Sequence, residues 1–129
     1  MIHHISINVS NIAAGKEFYA KALAPLGYTL MSDYPEWSLA GFGEAGKADT
    51  WIHAPGAPVT TKTHIAYSAP SREAVQAFYD AGLAAGGKDN GAPGIRENYA
   101  PNYYAAFLLD PDGNNVEVVC MDPRVASAA

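Results

Sequence analysis

The chain has 129 residues, the length of one compact domain. Its 8 Lys and Arg residues are outnumbered by 13 Asp and Glu residues, which gives a formal net charge of −5. Because the basic residues are scattered, we expect no binding to nucleic acid or to an anionic membrane surface. The apolar runs are too short to span a bilayer, and the single cysteine, Cys120, favours a reducing, cytoplasmic location.

An internal repeat with an offset of 60 residues organises the chain. Residues 4–27 align without a gap with residues 64–87, and eight of the 24 aligned pairs are identical, where composition alone would give roughly two. Two copies of this length indicate a duplicated half-domain. We predict a single domain over residues 1–125, with one module over about residues 1–58 and a second over about residues 62–121. Residues 122–129 are predicted to be a C-terminal tail.

The first module begins as a strand followed by a helix. Residues 2–9 alternate in polarity, with Ile5 and Ile7 on one face and His4 on the other. A helix is predicted over residues 12–26, where apolar residues recur at helical spacing. Strands are then predicted over residues 28–33, 36–42 and 49–53, separated by Pro35 and by a glycine-rich segment.

The second module repeats this order. A strand over residues 63–68 precedes a helix over 72–86, and a long polar stretch, 87–102, follows the helix. Two further strands are predicted over 103–109 and 116–121, joined by a turn rich in Asp, Gly and Asn. Each half therefore has one strand, one helix and about three strands, which predicts an α+β fold.

Three residues suggest a metal site. His4 and His64 hold the same position in the two modules, on the strand face opposite the apolar residues, so a curved sheet would turn both toward its concave side. Glu117 lies in the β-branched run 116–119, where a buried carboxylate needs a partner or a metal. Two neutral histidines and one carboxylate bind zinc in hydrolases and iron(II) in oxygenases. Each residue taken alone is more often an ordinary structural residue.

Two segments carry a family resemblance. The strand His4–Asn11 and the closing segment Tyr103–Glu117 resemble the vicinal oxygen chelate superfamily, which includes glyoxalase I, bleomycin-resistance proteins, fosfomycin-modifying enzymes and extradiol dioxygenases. The resemblance implies two βαβββ modules that form a curved mixed sheet around a metal cleft, often in a homodimer. It also implies His4, His64 and Glu117 as ligands of a divalent zinc, iron, manganese or nickel ion. That metal would act as a Lewis acid on a substrate bound through neighbouring oxygens.

One departure from the family pattern concerns the last strand of the first module. Glyoxalase I-like members carry a carboxylate or an amide there, as a fourth ligand and base. This chain has Trp51 or Ile52 at the expected place, and His53 is the only metal-binding residue type nearby. His53 is therefore the candidate catalytic base. Extradiol dioxygenases also use His and Tyr residues that assist the oxygen chemistry, and this chain has no clear match for them.

Substrate contacts are expected from the cleft walls and from the 87–104 segment. Arg96 is a candidate partner for an anionic substrate, although an ion pair with Glu97 or Asp89 is the alternative. The aromatic candidates for the substrate site are Trp51, Tyr99, Tyr103 and Tyr104. Because adjacent strand residues point to opposite sides, only one of the last two can face the cleft.

Two functions follow from these residues. The first is a metal-dependent enzyme with lyase-like, isomerase-like or dioxygenase-like chemistry on a small oxygen-chelating substrate. The second is a metal-free protein that binds a drug of the bleomycin type, although such proteins generally lack the three-ligand set. A thiol transferase acting on an antibiotic is a lesser alternative, because the loop and the basic pocket that it requires are not found.

Overall fold

A computed structural model describes residues 1–56 and 58–123 of the chain. Residues 124–129, which make up most of the predicted tail, lie outside the described residues. The first module contains strand β1, helix α1 and strands β2, β3 and β4, in the order Ile5–Asn8, Ile12–Leu23, Thr29–Tyr34, Leu39–Glu44 and Lys47–His53. The second contains β5, α2, β6, β7 and β8, in the order His64–Ser68, Arg72–Ala84, Lys88–Ile95, Tyr104–Leu109 and Asn115–Cys120.

Strand β6 lies inside the stretch for which the sequence indicated only a polar connection. Its pairing with β7 shifts register near Gly91 and again before Gly94. Such bulges interrupt the two-residue alternation by which a strand is recognised in a sequence. The interpretation of residues 87–102 as a polar connection alone is therefore wrong for Lys88–Ile95.

The strands form two mixed sheets with the same topology. The strand orders are β1-β4-β3-β2 and β5-β8-β7-β6. In each sheet the first strand of the module runs parallel to the last, and the other neighbours are antiparallel. The predicted α+β class and the two βαβββ modules are confirmed, with two curved, open sheets in place of one continuous sheet.

Side-chain caps set where the two helices begin. The Asn11 Oδ1 accepts a hydrogen bond from the Ala14 amide at 3.0 Å, and the Ser71 Oγ accepts one from the Ala74 amide at 3.1 Å. Helix α1 ends three residues earlier than predicted, because Pro25 lies in a 3-10 turn, Ala24–Leu26. Of the described residues, no helix is long and apolar enough to cross a membrane.

Both helices and both sheets share one buried core. The helices contact each other, and each packs on one side of its own sheet. We call the opposite side of each sheet, turned away from the helices, the site face. Hydrogen bonds join the modules: the Tyr19 hydroxyl donates to Asp110 at 2.6 Å, and the Thr50 and Tyr67 hydroxyls lie 3.0 Å apart. Cys120 is a buried free thiol.

Candidate functional site

The site face of the second sheet contains a buried carboxylate. Val116 and Val118 point into the core, so Glu117, between them on β8, points to the site face. Glu117 is only 2% exposed and stands opposite Phe107 of β7. A carboxylate buried to this extent needs strong hydrogen-bond donors or a cation.

Two side chains satisfy this carboxylate within the chain. The His64 Nε2 lies 2.7 Å from the Glu117 Oε1, and the Tyr103 hydroxyl donates to the Glu117 Oε2. Burial, and then this hydrogen bond to Glu117, raise the pKa of the Tyr103 hydroxyl to about 12, so Tyr103 keeps its proton at neutral pH. The predicted residues His64, Glu117 and Tyr103 are thus brought together.

Arg96 lies on the same face and is held by backbone oxygens. Its Nη1 donates to the Gly94 carbonyl and its Nη2 to the Ala92 carbonyl, both at 2.8 Å. Its guanidinium carbon lies 5.3 Å from the centre of the Phe107 ring. Among the described residues Arg96 forms no ion pair, so the alternative pairing with Glu97 or Asp89 is absent there.

Of these groups, His64, Arg96 and Phe107 line one cavity of about 550 Å³. Its lining residues are His64, Asn90, Gly91, Arg96, Tyr99, Phe107 and Asn115. The Tyr99 ring meets the Tyr103 ring edge-on, with the ring centres 5.2 Å apart. Sequence reasoning missed Phe107, although its alternation with the apolar Ala106 and Leu108 would have placed it on the face turned away from them. Asn90 and Asn115 gave no signal, because a polar residue near a turn is common.

Tyr104 lies on the other side of the sheet. Its hydroxyl accepts a hydrogen bond from the Gln76 Nε2 at 2.8 Å, and the Arg72 guanidinium carbon lies 5.0 Å from its ring centre. Both partners belong to helix α2. Of the two adjacent tyrosines, Tyr103 therefore faces the site and Tyr104 packs against the helix.

His4 lies apart from the His64–Glu117 pair. Its Nδ1 is 2.8 Å from the Nδ1 of His3, and both imidazoles line a different cavity, of about 290 Å³. Residues 65–68 of β5 form another part of that cavity wall. Within residues 1–56 and 58–123, no three His, Cys, Asp or Glu side chains converge as a metal site would require.

Trp51 and His53 lie on the site face of the first sheet. They alternate with Ile52, which is fully buried in the core. The Trp51 ring covers Gly41 of the neighbouring strand so closely that a Cβ at Gly41 would lie 2.8–2.9 Å from three of its atoms. His53 is half-buried at the end of β4, and its backbone carbonyl accepts a hydrogen bond from the Val9 amide at 2.8 Å.

Comparison with known proteins identifies the family. The profile of the Glyoxalase/Bleomycin resistance protein/Dioxygenase superfamily matches residues 1–118, which is most of the chain. The chain belongs to this superfamily. A solved glyoxalase/bleomycin resistance protein from Albidiferax ferrireducens T118 is 28% identical, with a TM-score of 0.77 over 93% of this chain and 97% of that one.

More distant superfamily structures share the fold. Glyoxalase I from Zea mays is 20% identical, with a TM-score of 0.66 over 92% of this chain and 43% of that one. Lactoylglutathione lyase from Agrobacterium tumefaciens is 17% identical, with a TM-score of 0.66 over 93% and 92%. No protein with a curated description matches the sequence significantly.

Strand register shows where this superfamily member departs from the glyoxalase I-like pattern. In the second module, Ala66 lies two residues after His64 and pairs with Glu117. In the first module, Ser6 lies two residues after His4 and pairs with Trp51. Trp51, and not Ile52 or His53, therefore occupies the position equivalent to Glu117.

A divalent metal of the kind that the family implies fits this chain in part. The His64 Nε2 and the Glu117 Oε1 are suitable donors, and they are already held together. The Glu117 Oε2 is engaged by Tyr103, and His4 lies in the other cavity. The described part of one chain thus brings together two of the three predicted donors, and a three-ligand centre needs another.

Proposed function

We propose that the chain is one subunit of a homodimeric, divalent-metal-dependent enzyme. Its substrate would be a small molecule that binds the metal through neighbouring oxygen atoms. The observation that carries this proposal is the pairing of the His64 Nε2 with the Glu117 Oε1 at 2.7 Å on the site face. Zinc, iron(II), manganese(II) and nickel(II) all accept an imidazole and a carboxylate as ligands.

His4 of a second copy would supply the third ligand. Within one chain, His4 and His64 line separate cavities. His4 immediately precedes β1 and His64 begins β5, and these two strands are edge strands of different sheets. A two-fold interface would present the first sheet of each subunit to the second sheet of the other, which makes two equivalent sites. Trp51 of the second copy would then add an aromatic wall.

The chain's own residues limit the chemistry of this proposed site. When bound, the metal would supply Lewis acidity to an oxyanion on the substrate. Tyr103 would hold Glu117 in place, and Tyr99 would contact the substrate. The indole of Trp51 cannot accept a proton, so we do not propose that a base at this position isomerises a hemithioacetal. His53 is the remaining candidate base.

Metal titration tests the proposal directly. We expect the purified protein, titrated separately with zinc, manganese(II) and nickel(II), to bind about one ion per chain. Changing a residue that only hydrogen-bonds to a metal ligand typically costs 10–100-fold in metal affinity. Changing the ligands themselves, as in His64→Ala and Glu117→Gln, should therefore each cost at least that much. Glu17→Gln is the matched control for Glu117→Gln, because it removes a carboxylate from an exposed position on α1 that lines neither cavity. Stoichiometric binding that survives both ligand changes would contradict the proposal.

A mixing experiment tests whether the site is shared between subunits. His4→Ala and His64→Ala should each lose metal binding as homodimers. When the two variants are unfolded and refolded together, about half of the dimers are mixed, and each mixed dimer regains one intact site of two. Recovery of about a quarter of the wild-type capacity is therefore expected. No recovery, with mixed dimers present by mass spectrometry, would exclude a ligand donated across the interface.

A metal-free binding protein is the second candidate function. The observation that favours it is that both oxygens of Glu117 already have partners in the chain, His64 and Tyr103. Such a closed network needs no cation to stabilise the carboxylate. Absence of stoichiometric metal, combined with tight binding of a bleomycin-type drug in calorimetry, would favour this function over the metal enzyme.

A further inference from the structure

We infer that the ligand of this site carries a carboxylate group, and that Arg96 binds it in the cavity that Arg96 lines together with Phe107 and His64. The inference rests on the proposed function for the position of the reactive end of the ligand. It adds the chemical class: a small organic acid, and not a neutral or cationic molecule.

The first argument is that Arg96 is a fixed cation with no anionic partner among the described residues. Two carbonyls and an aromatic ring hold its guanidinium, at 2.8, 2.8 and 5.3 Å. An arginine has five N–H donors, so this arrangement uses two and leaves three for a ligand. The Arg96 side chain loses most of its conformational entropy when the protein folds. The further loss of entropy on binding an anion is therefore smaller.

The second argument is position. The Arg96 guanidinium carbon lies 5.3 Å from the Phe107 ring centre, and the His64 ring centre lies 6.3 Å from the same point. Both residues line the same cavity. These distances place the two groups at most about 12 Å apart, within reach of one small molecule with chelating oxygens at one end and a carboxylate at the other.

The polar residues around Arg96 are also suited to an organic acid. Asn90 and Tyr99 line the cavity and offer an amide and a hydroxyl as neutral donors. The Asn115 Oδ1 is buried in the same wall and has no hydrogen-bond partner in the described structure.

A purely structural role for Arg96 predicts something different. Strand β6 bulges around Gly91 and Gly94, and the Arg96 guanidinium satisfies two carbonyls of that irregular segment. If that were its whole role, substitution of Arg96 would lower the folding stability, and the protein would bind acids no more tightly than their esters. The two readings are separated by comparing acids with their uncharged esters.

The experiment is a calorimetric titration of the full chain with matched probes. The probes are 3,4-dihydroxybenzoate and benzoate, each compared with its methyl ester, and 2-oxoglutarate, compared with its dimethyl ester, all with and without added manganese(II). Charge-assisted hydrogen bonds to a guanidinium are about twice as strong as neutral ones, so at least one acid should bind 10–100-fold more tightly than its ester. Arg96→Gln should abolish that preference, and Arg96→Lys should retain part of it.

Lys88→Gln is the matched control, because it removes a positive charge from an exposed position outside the cavity, on the strand that precedes Arg96. If no acid is preferred over its ester by the wild-type protein, the inference is wrong even if Arg96→Gln fails to fold. An unchanged preference in Arg96→Gln would also overturn it. Metal binding without an acid preference would leave the proposed function standing. An acid preference without metal binding would contradict the proposed metal-dependent enzyme and would leave the carboxylate inference standing.

Discussion

Glu117 shows how one residue conflicts with its local sequence and is accommodated by its surroundings. A β-branched strand favours apolar neighbours, yet this carboxylate is almost fully buried and has His64 and Tyr103 as partners. Removing one partner of a buried charge typically costs about 3–5 kcal/mol, since the remaining charge is left without compensation. The anomaly in the sequence was therefore a reliable indication of a polar cluster, although its partners could not be identified from the strand itself.

A tyrosine between the modules gives a prediction about pH. Burial raises the pKa of Tyr67 to about 12, while its hydrogen bond with Thr50 acts in the opposite direction. Because the folded state holds this proton more tightly than the unfolded chain, the stabilisation is complete below pH 10 and is lost between pH 10 and 12. Two pKa units correspond to about 3 kcal/mol, so the free energy of unfolding should fall by up to that amount.

Urea unfolding at pH 9, 10, 11 and 12 measures this fall. Tyr67→Phe removes the titrating group and should have a smaller decrease than the wild type over the same interval. Tyr19 and Tyr28 also have raised pKa values through burial, so the wild-type decrease includes their contributions. Equal decreases in the two proteins would show that Tyr67 is not responsible.

At the scale of elements, the helices were predictable from the chain and the sheets only in part. Asn11 and Ser71 cap the two helices as their residue types favour, and the alternation in β1 and β5 indicated strands. Strand β6 was missed because its two register shifts remove the two-residue period. A bulge is stabilised by the neighbouring strand, which no short sequence window contains.

The contact between α2 and β7 gives a prediction about packing. A Cβ at Gly82 would lie 2.2 Å from the Leu108 Cδ1, inside the fully buried core. Alanine improves helix propensity by about 1 kcal/mol, but overpacking a core costs about 1–3 kcal/mol. Gly82→Ala should therefore lower the free energy of unfolding by up to about 2 kcal/mol.

Thermal unfolding of Gly82→Ala beside Gly15→Ala measures this effect. Gly15 lies in α1, where a Cβ would be 3.0 Å from the Ile52 Cδ1, so the same gain in propensity meets a milder overlap. Gly82→Ala should have the lower Tm of the two. The reverse order would mean that Leu108 moves aside at little cost.

At the scale of the whole molecule, the exposed apolar residues of the first sheet suit the proposed dimer. Trp37 is 63% exposed, and its ring centre lies 5.3 Å from that of Tyr34. Tyr34 ends the edge strand β2, on which Leu30 and Met31 are also exposed. An exposed pair of aromatic side chains with further exposed apolar residues on the same edge strand is typical of an interaction surface, and Trp and Tyr are enriched among residues that dominate binding energy.

Trp37→Ser tests this surface. If this surface lies in the dimer interface, the substitution should weaken dimerisation at least tenfold, as measured by sedimentation over a range of concentrations. Leu83→Ser is the control, because Leu83 is an exposed apolar residue on α2. A dimer constant that responds equally to both substitutions, or to neither, would place the interface elsewhere.

The amino-acid sequence alone determined the duplication, the α+β class and the residue types at His4, His64 and Glu117, because repeats and alternation are local properties. The tertiary structure decided which of them meet. It joined Glu117 to His64 and Tyr103, placed His4 in another cavity, and put Trp51 at the position equivalent to Glu117. Register and the packing of one sheet against another depend on contacts between distant residues, and alternation indicates a side chain's face but not its neighbours.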